Sequence, residues 1–146
     1  MTTSGKIELM APAGNFESMQ AALDNGCDSI YFGVEQLNMR ARATVNFVLD
    51  DLPEIARRCK EKNVRTYLTL NTIIYDHDLS IVKTLLTKAK EAGITAVIAS
   101  DQAVIMTART IGIEVHISTQ LNVTNIETVN FYAMFADTIV LSRELS

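Results

Sequence analysis

Short β-type segments alternate with amphipathic helical runs along the whole chain, and this predicts an α/β fold. The specific form is a partial TIM-type (β/α) barrel, with about six parallel strands and helices between them. The alternation itself is the first observation behind that prediction. The second is that the connections are mostly short, and repeated βα units pair in parallel through right-handed crossovers. The third is that polar residues follow nearly every strand, as expected where all the strand ends converge on one mouth. An open doubly wound sheet is the competing architecture. No GxGxxG or GxxxxGK[ST] turn follows any strand, which weakens its dinucleotide and P-loop versions.

The first strand is read at Ile7–Ala11, broken by Ala11-Pro12-Ala13-Gly14. Asn15 then caps a helix carrying Phe16, Met19, Ala22 and Leu23 on one face, and Gly26 ends it. Asp28–Val34 is the second strand, and a polar connection from Glu35 to Asn46 belongs to no clear element. Asp50 or Asp51 starts a helix with Leu52, Ile55, Ala56 and Cys59 at i, i+3, i+4, i+7 spacing, before a strand at Arg65–Asn71. The next helix, Asp78–Ala92, has Ile81, Val82, Leu85, Leu86 and Ala89 on its buried stripe and stops at Gly93. Thr95–Ser100 is a strand, and Asp101 caps a helix with Val104, Ile105, Ala108 and Ile111 before Gly112. Ile113–Ser118 follows as the fifth strand. Thr124 and Glu127 have capping-box spacing ahead of a helix through Ile126, Val129 and Ala133, and Thr138–Leu141 is the sixth strand.

A complete barrel takes about 250 residues, so 146 residues are expected to supply the front portion of one domain, ending before closure. Hydrophobic content of 48% with 21% charged residues is ordinary for a globular core, and a net charge of −4 gives no global basic footprint for nucleic acid. No stretch approaches the roughly 18 apolar residues of a membrane span, and the start does not read as a signal peptide. Cys27 and Cys59 are far apart and form no CxxC unit, so the chain reads as reduced and cytoplasmic. Six strands without closure leave two unpaired edges, from which homo-oligomerisation is expected.

The strand ends hold the candidate binding residues. Glu35, Asn38, Arg40 and Arg42 follow the second strand, Asn71-Thr72 the third and Ser100-Asp101 the fourth. Ser118, Gln120 and Asn122 follow the fifth strand, and Ser142, Arg143 and Glu144 the sixth. Alternation along a strand puts Tyr31, Gly33 and Glu35 on one face, and likewise Tyr67, Thr69 and Asn71, and His116, Ser118 and Gln120. Arg40 and Arg42, two apart beside a pocket, suit carboxylate or phosphate recognition, with solvated loop charges as the alternative. Asp101 reads as a helix cap, and Arg143-Glu144 as either site residues or an ion pair closing the last strand. His77 reads as an exposed loop residue, His116 as a packed or hydrogen-bonded core imidazole, and Cys27 and Cys59 as structural. The sequence contains no HExxH helix, GxSxG elbow or cysteine cluster. The residues alone therefore support a polar, anion-friendly pocket with no assigned catalytic residue.

Six segments, in order, resemble the peptidase U32 family. They are Glu8-Leu9-Met10-Ala11-Pro12-Ala13-Gly14, Asp28-Ser29-Ile30-Tyr31-Phe32-Gly33 and Asn38-Met39-Arg40-Ala41-Arg42-Ala43, then Leu70-Asn71-Thr72, His116-Ile117-Ser118-Thr119-Gln120 and Leu141-Ser142-Arg143-Glu144-Leu145-Ser146. The family takes its name from collagenase-like proteases, and several members are oxygen-independent hydroxylation proteins acting on transfer-RNA uridine, ribosomal RNA or the ubiquinone ring. The resemblance implies that the chain supplies part of a substrate pocket. It implies a full-length tRNA uridine hydroxylation factor, with a collagenase-like peptidase as the alternative and a non-catalytic self-associating scaffold as a second one. RNA or a peptide is the implied substrate. The resemblance places the family's iron–sulfur ligands downstream of Ser146, so no cofactor is expected within these residues.

Overall fold

The computed structural model describes residues 5–35 and 47–145. Six strands and five α-helices alternate: β1 Met10–Pro12, α1 Phe16–Asp24, β2 Ser29–Phe32, α2 Leu52–Glu61, β3 Arg65–Leu70, α3 Leu79–Ala92, β4 Ala96–Ala99, α4 Gln102–Ile111, β5 Glu114–Ile117, α5 Ile126–Ala133 and β6 Thr138–Ile139. The strands form one sheet in the order β1-β2-β3-β4-β5-β6, and every neighbouring pair is parallel. A doubly wound sheet reverses its strand order at a switch point. This sheet never reverses, so it is the curved front of a barrel. Among the described strands, β1 and β6 each have a single neighbour.

Strand alternation gives the sheet two faces of different character. Ile30, Phe32, Leu68, Leu70, Val97, Ala99, Val115 and Ile117 belong to the main core with the helices. Their in-between neighbours form the inner face, where Tyr67, Ala96 and Ile98 make a separate small apolar cluster. The register pairs Tyr31 with Tyr67, Tyr67 with Ala96, and Ile98 with His116, so the three polar sets predicted to share a face begin on the inner side.

Helix stripes explain how the outer layer seals. α2 buries Leu52, Ile55, Ala56 and Cys59 at the expected spacing. α3 buries Val82, Leu85, Leu86 and Ala89, but Ile81 is 40% exposed. One residue before Val82 is about 100° around the helix, which carries Ile81 off the stripe. α5 buries none of its residues fully, and Ile126 lies in the open. Its cap also differs from expectation. The Asn125 side chain accepts from Thr128 N at 2.9 Å, so the helix begins one residue after the Thr124 position suggested by the sequence. Asn15 does cap α1, with Oδ1 accepting from Ser18 N at 2.8 Å and Ser18 Oγ accepting from Asn15 N at 3.1 Å. Gly112 ends α4 at φ 84, a left-handed conformation that favours glycine.

Candidate functional site

The strand ends expected to carry the site line up along one edge of the sheet, because all six strands run the same way. At the end of β3, Asn71 is half-buried, and its carbonyl accepts from Ser100 Oγ at the end of β4, 3.1 Å away. Ser118, at the end of β5, is buried and donates its backbone N–H to Ala99 O at 2.8 Å. Its Oγ accepts from Gln120 N at 3.3 Å, capping a 3-10 turn over Thr119–Leu121. That turn takes Gln120 out of the strand, so the extended alternation ends at Ser118. Gln120 is exposed, as is Asn122, which adopts the left-handed conformation at φ 50. Ser142 donates its backbone N–H to Val123 O at 3.0 Å, which ties the β6 end to the loop after β5.

Asp101 is a helix cap, as read from sequence, with Oδ1 accepting from Ala103 N at 2.7 Å. Glu144 and Arg143 are both exposed and form no ion pair with each other; Glu144 accepts from the Ser142 hydroxyl instead, which holds its carboxyl below the usual range. Glu35 is exposed on the β2 side of the edge, apart from the β5–β6 loops, with its backbone N–H donating to Phe47 O at 3.0 Å. Asn38, Arg40 and Arg42 lie outside the described residues.

Beneath this rim, the inner face holds a charged network that crosses the sheet through alternate strands. Glu8, just ahead of β1, accepts from Tyr67 Oη of β3 at 2.5 Å. Arg65 of β3 reaches Glu8 Oε2 at 3.5 Å with Nη1 and Glu114 Oε1 of β5 at 2.9 Å with Nη2. The same Glu114 oxygen lies 2.7 Å from His116 Nε2. The Arg65 guanidinium sits 5.2 Å from the Tyr67 ring centre, and the Tyr67 and His116 rings are 4.6 Å apart. Alternate strands supplying one layer is the way a β/α barrel fills its interior.

Physical causes fix the charge states in part of this network. Burial pushes the Glu8 carboxyl up, but the hydroxyls of Ser29 and Tyr67 and the charge of Arg65 outweigh it and leave Glu8 below its ordinary value. Burial, followed by the hydrogen bond to Glu8, raises the Tyr67 phenol, so it stays a donor. The Ser29 hydroxyl is fully buried beside them and makes no hydrogen bond of ordinary geometry.

His116 is 5% exposed and hydrogen-bonded, as its place in a strand predicts. His77 is exposed and stacks on Tyr75. Sequence reasoning missed Glu8, Arg65 and Glu114. Each looked like an ordinary charge at a strand start, and the available signal was that all three occupy the same parity as the inner-facing Tyr67 and His116. Cys27 and Cys59 are buried in the helix-facing core, and burial raises both thiols, Cys59 to about 11. A thiol must ionise to bind metal, so these two do not fit an iron–sulfur cluster. No cluster of metal-ligating side chains occurs among the described residues.

The sequence profile of peptidase family U32 matches residues 14–146. The chain belongs to that family. This U32 chain is 52% identical over 140 residues to a collagenase of Porphyromonas gingivalis, covering 96% of this chain and 34% of that protein. It is 31% identical over 144 residues to a tRNA hydroxylation protein of Bacillus subtilis, covering 97% of this chain and 34% of that protein. The chain thus spans about a third of the length of these curated relatives. A solved U32 peptidase superposes with a TM-score of 0.72 at 14% identity, covering 97% of this chain and 61% of the other, a likeness of fold. No helix among the described residues is long and apolar enough to cross a membrane.

Proposed function

We propose that the chain forms the substrate-binding front of a U32 protein that hydroxylates RNA, with a tRNA uridine as target. The rim carries this reading. Asn71, Ser100, Ser118 and Ser142 end four successive strands and form a layer of neutral polar groups, bonded to one another, to the adjoining backbone and to Glu144, above the charge network. Such a rim suits the edge of a nucleobase, and enzymes that act on a base take it out of its stack into a pocket. Relatives described as tRNA hydroxylation proteins of Bacillus subtilis and Helicobacter pylori, and as a 23S rRNA 5-hydroxycytidine synthase of Escherichia coli, support the same reading. With a net charge of −4, phosphate contacts would fall to local cations. Arg40, Arg42 and Arg143 are the proposed ones, with Glu35, Gln120, Asn122 and Glu144 at the pocket's margin. The hydroxylation chemistry would draw on an iron–sulfur cluster held by cysteines beyond Ser146.

Peptide hydrolysis is the second reading, favoured by the 52% identity to a collagenase. One pair of measurements separates the two. Deleting the gene is expected to remove hydroxyuridine from cellular tRNA by mass spectrometry, and the full-length gene to restore it. Unchanged hydroxyuridine together with gelatin cleavage by the purified full-length protein would overturn the RNA reading in favour of the peptidase.

A further inference from the structure

We infer that Tyr75, in the loop between β3 and α3, is a stacking platform for an unpaired base of the RNA, with His77 as its backing. The inference rests on the RNA reading above and adds a contact that would hold a base beside the rim. The loop leaves the rim at Asn71 and turns three large side chains outward. Ile73 is 75% exposed, Tyr75 54% and the His77 side chain 72%. The planes of the Tyr75 and His77 rings differ by 2° and their centres are 5.8 Å apart, an offset stack. β3 lies between β2 and β4, so this exposure is not that of an open sheet edge.

Neither ring is needed to hold the loop. Ile74 packs against the main core. The buried Asp78 accepts from Tyr75 N at Oδ2, 3.0 Å away, and its own N–H donates to Tyr75 O at 2.8 Å. His77 Nε2 lies 3.5 Å from Asp78 Oδ1. The backbone is thus fixed, the rings stand on it as a preset flat surface, and binding there orders little that is not ordered already. Charge selects the part of the RNA that fits. Asp76, between the two rings in sequence, is exposed, and a phosphate would meet it as a like charge. A base carries no charge, and every base has a flat face that stacks on an aromatic ring. Proline-rich peptides also use aromatic side chains, but they dock in aromatic-lined grooves. Side chains as exposed as these form a ridge, which favours the base.

The test measures binding of the purified full-length protein to fluorescently labelled tRNA from a strain lacking the gene, with melting temperatures taken alongside. Tyr75→Ala is expected to weaken binding about tenfold, the loss of one base–aromatic stack. Tyr75→Phe and Tyr75→Trp should stay within about twofold of wild type, whereas Tyr75→Leu, apolar but without a ring, should bind as poorly as Tyr75→Ala. The slope of log affinity against log salt should be the same in Tyr75→Ala as in wild type, because no phosphate contact is lost. Folded Tyr75→Ala protein that binds tRNA within about twofold of wild type overturns the platform and leaves the RNA reading intact. So does Tyr75→Leu binding as well as Tyr75→Phe, or a shallower salt slope in Tyr75→Ala. If wild type neither binds tRNA nor restores hydroxyuridine in the deletion strain, the RNA reading fails and the platform with it. Wild type that binds a proline-rich, collagen-like peptide instead, with binding lost in Tyr75→Ala, overturns the base in favour of the peptide.

Discussion

The two ends of the inner face solve the same problem in opposite ways. At the floor, charges satisfy charges: Glu8, Arg65 and Glu114 are bound to one another across β1, β3 and β5, with the His116 ring hydrogen-bonded to Glu114. At the rim, neutral side chains satisfy the backbone, as Ser100 does for Asn71 and Ser118 for the turn after it. The floor is therefore a long-range lock, whose partners come from distant parts of the chain. The rim is a set of local caps that can be altered one at a time. Barrels place stability at the strand starts and chemistry at the strand ends, and this division matches that rule except at His116, which belongs to the lock and borders the rim.

Breaking the lock should have the largest effect. Arg65→Ala leaves Glu8 and Glu114 without their shared cation and is expected to cost about 2 kcal/mol, a value already lowered for half-exposed partners. Urea denaturation checks it, and a loss under about 0.5 kcal/mol would mean the floor is no lock. Acid should open the same lock. Glu8 is held below its ordinary 4.5, so its contribution is present above that pH and is lost as pH falls through the lower folded value. Melting curves of wild type should fall in that window, and those of Glu8→Gln should fall less. At the rim, Asp101→Ala removes one cap and should cost about 1 kcal/mol without changing acid sensitivity. Ser29→Ala is the smallest test. Deleting a buried hydroxyl that makes no hydrogen bond of ordinary geometry is expected to change stability by about 0.5 kcal/mol or less.

The rim was largely legible in sequence, because caps and strand ends are local signals. Asp101 announces its helix, and Ser118 stands where its strand stops. The floor was not legible, because its partners lie 49 and 59 positions apart in the Arg65–Glu114 and Tyr67–Glu8 contacts, and only the register between strands brings them together. His116 was readable as a bonded imidazole, but Glu114 could not be named as its partner without knowing that both side chains turn inward. The α5 stripe failed for a related reason. Ile126, Val129 and Ala133 have helical spacing, but spacing does not say whether anything covers the face, and here Ile126 lies open.

The unbroken strand order has a consequence for how this protein is made. Among the described strands, each lies beside the one synthesised just before it, so none of these pairings waits for a distant segment. Pairing across a crossover of a few tens of residues closes a shorter loop than pairing across the whole chain, and synthesis supplies the strands in that order from the N-terminus. The charged floor closes only when β5 arrives with Glu114, which makes that strand the point at which the growing sheet becomes locked.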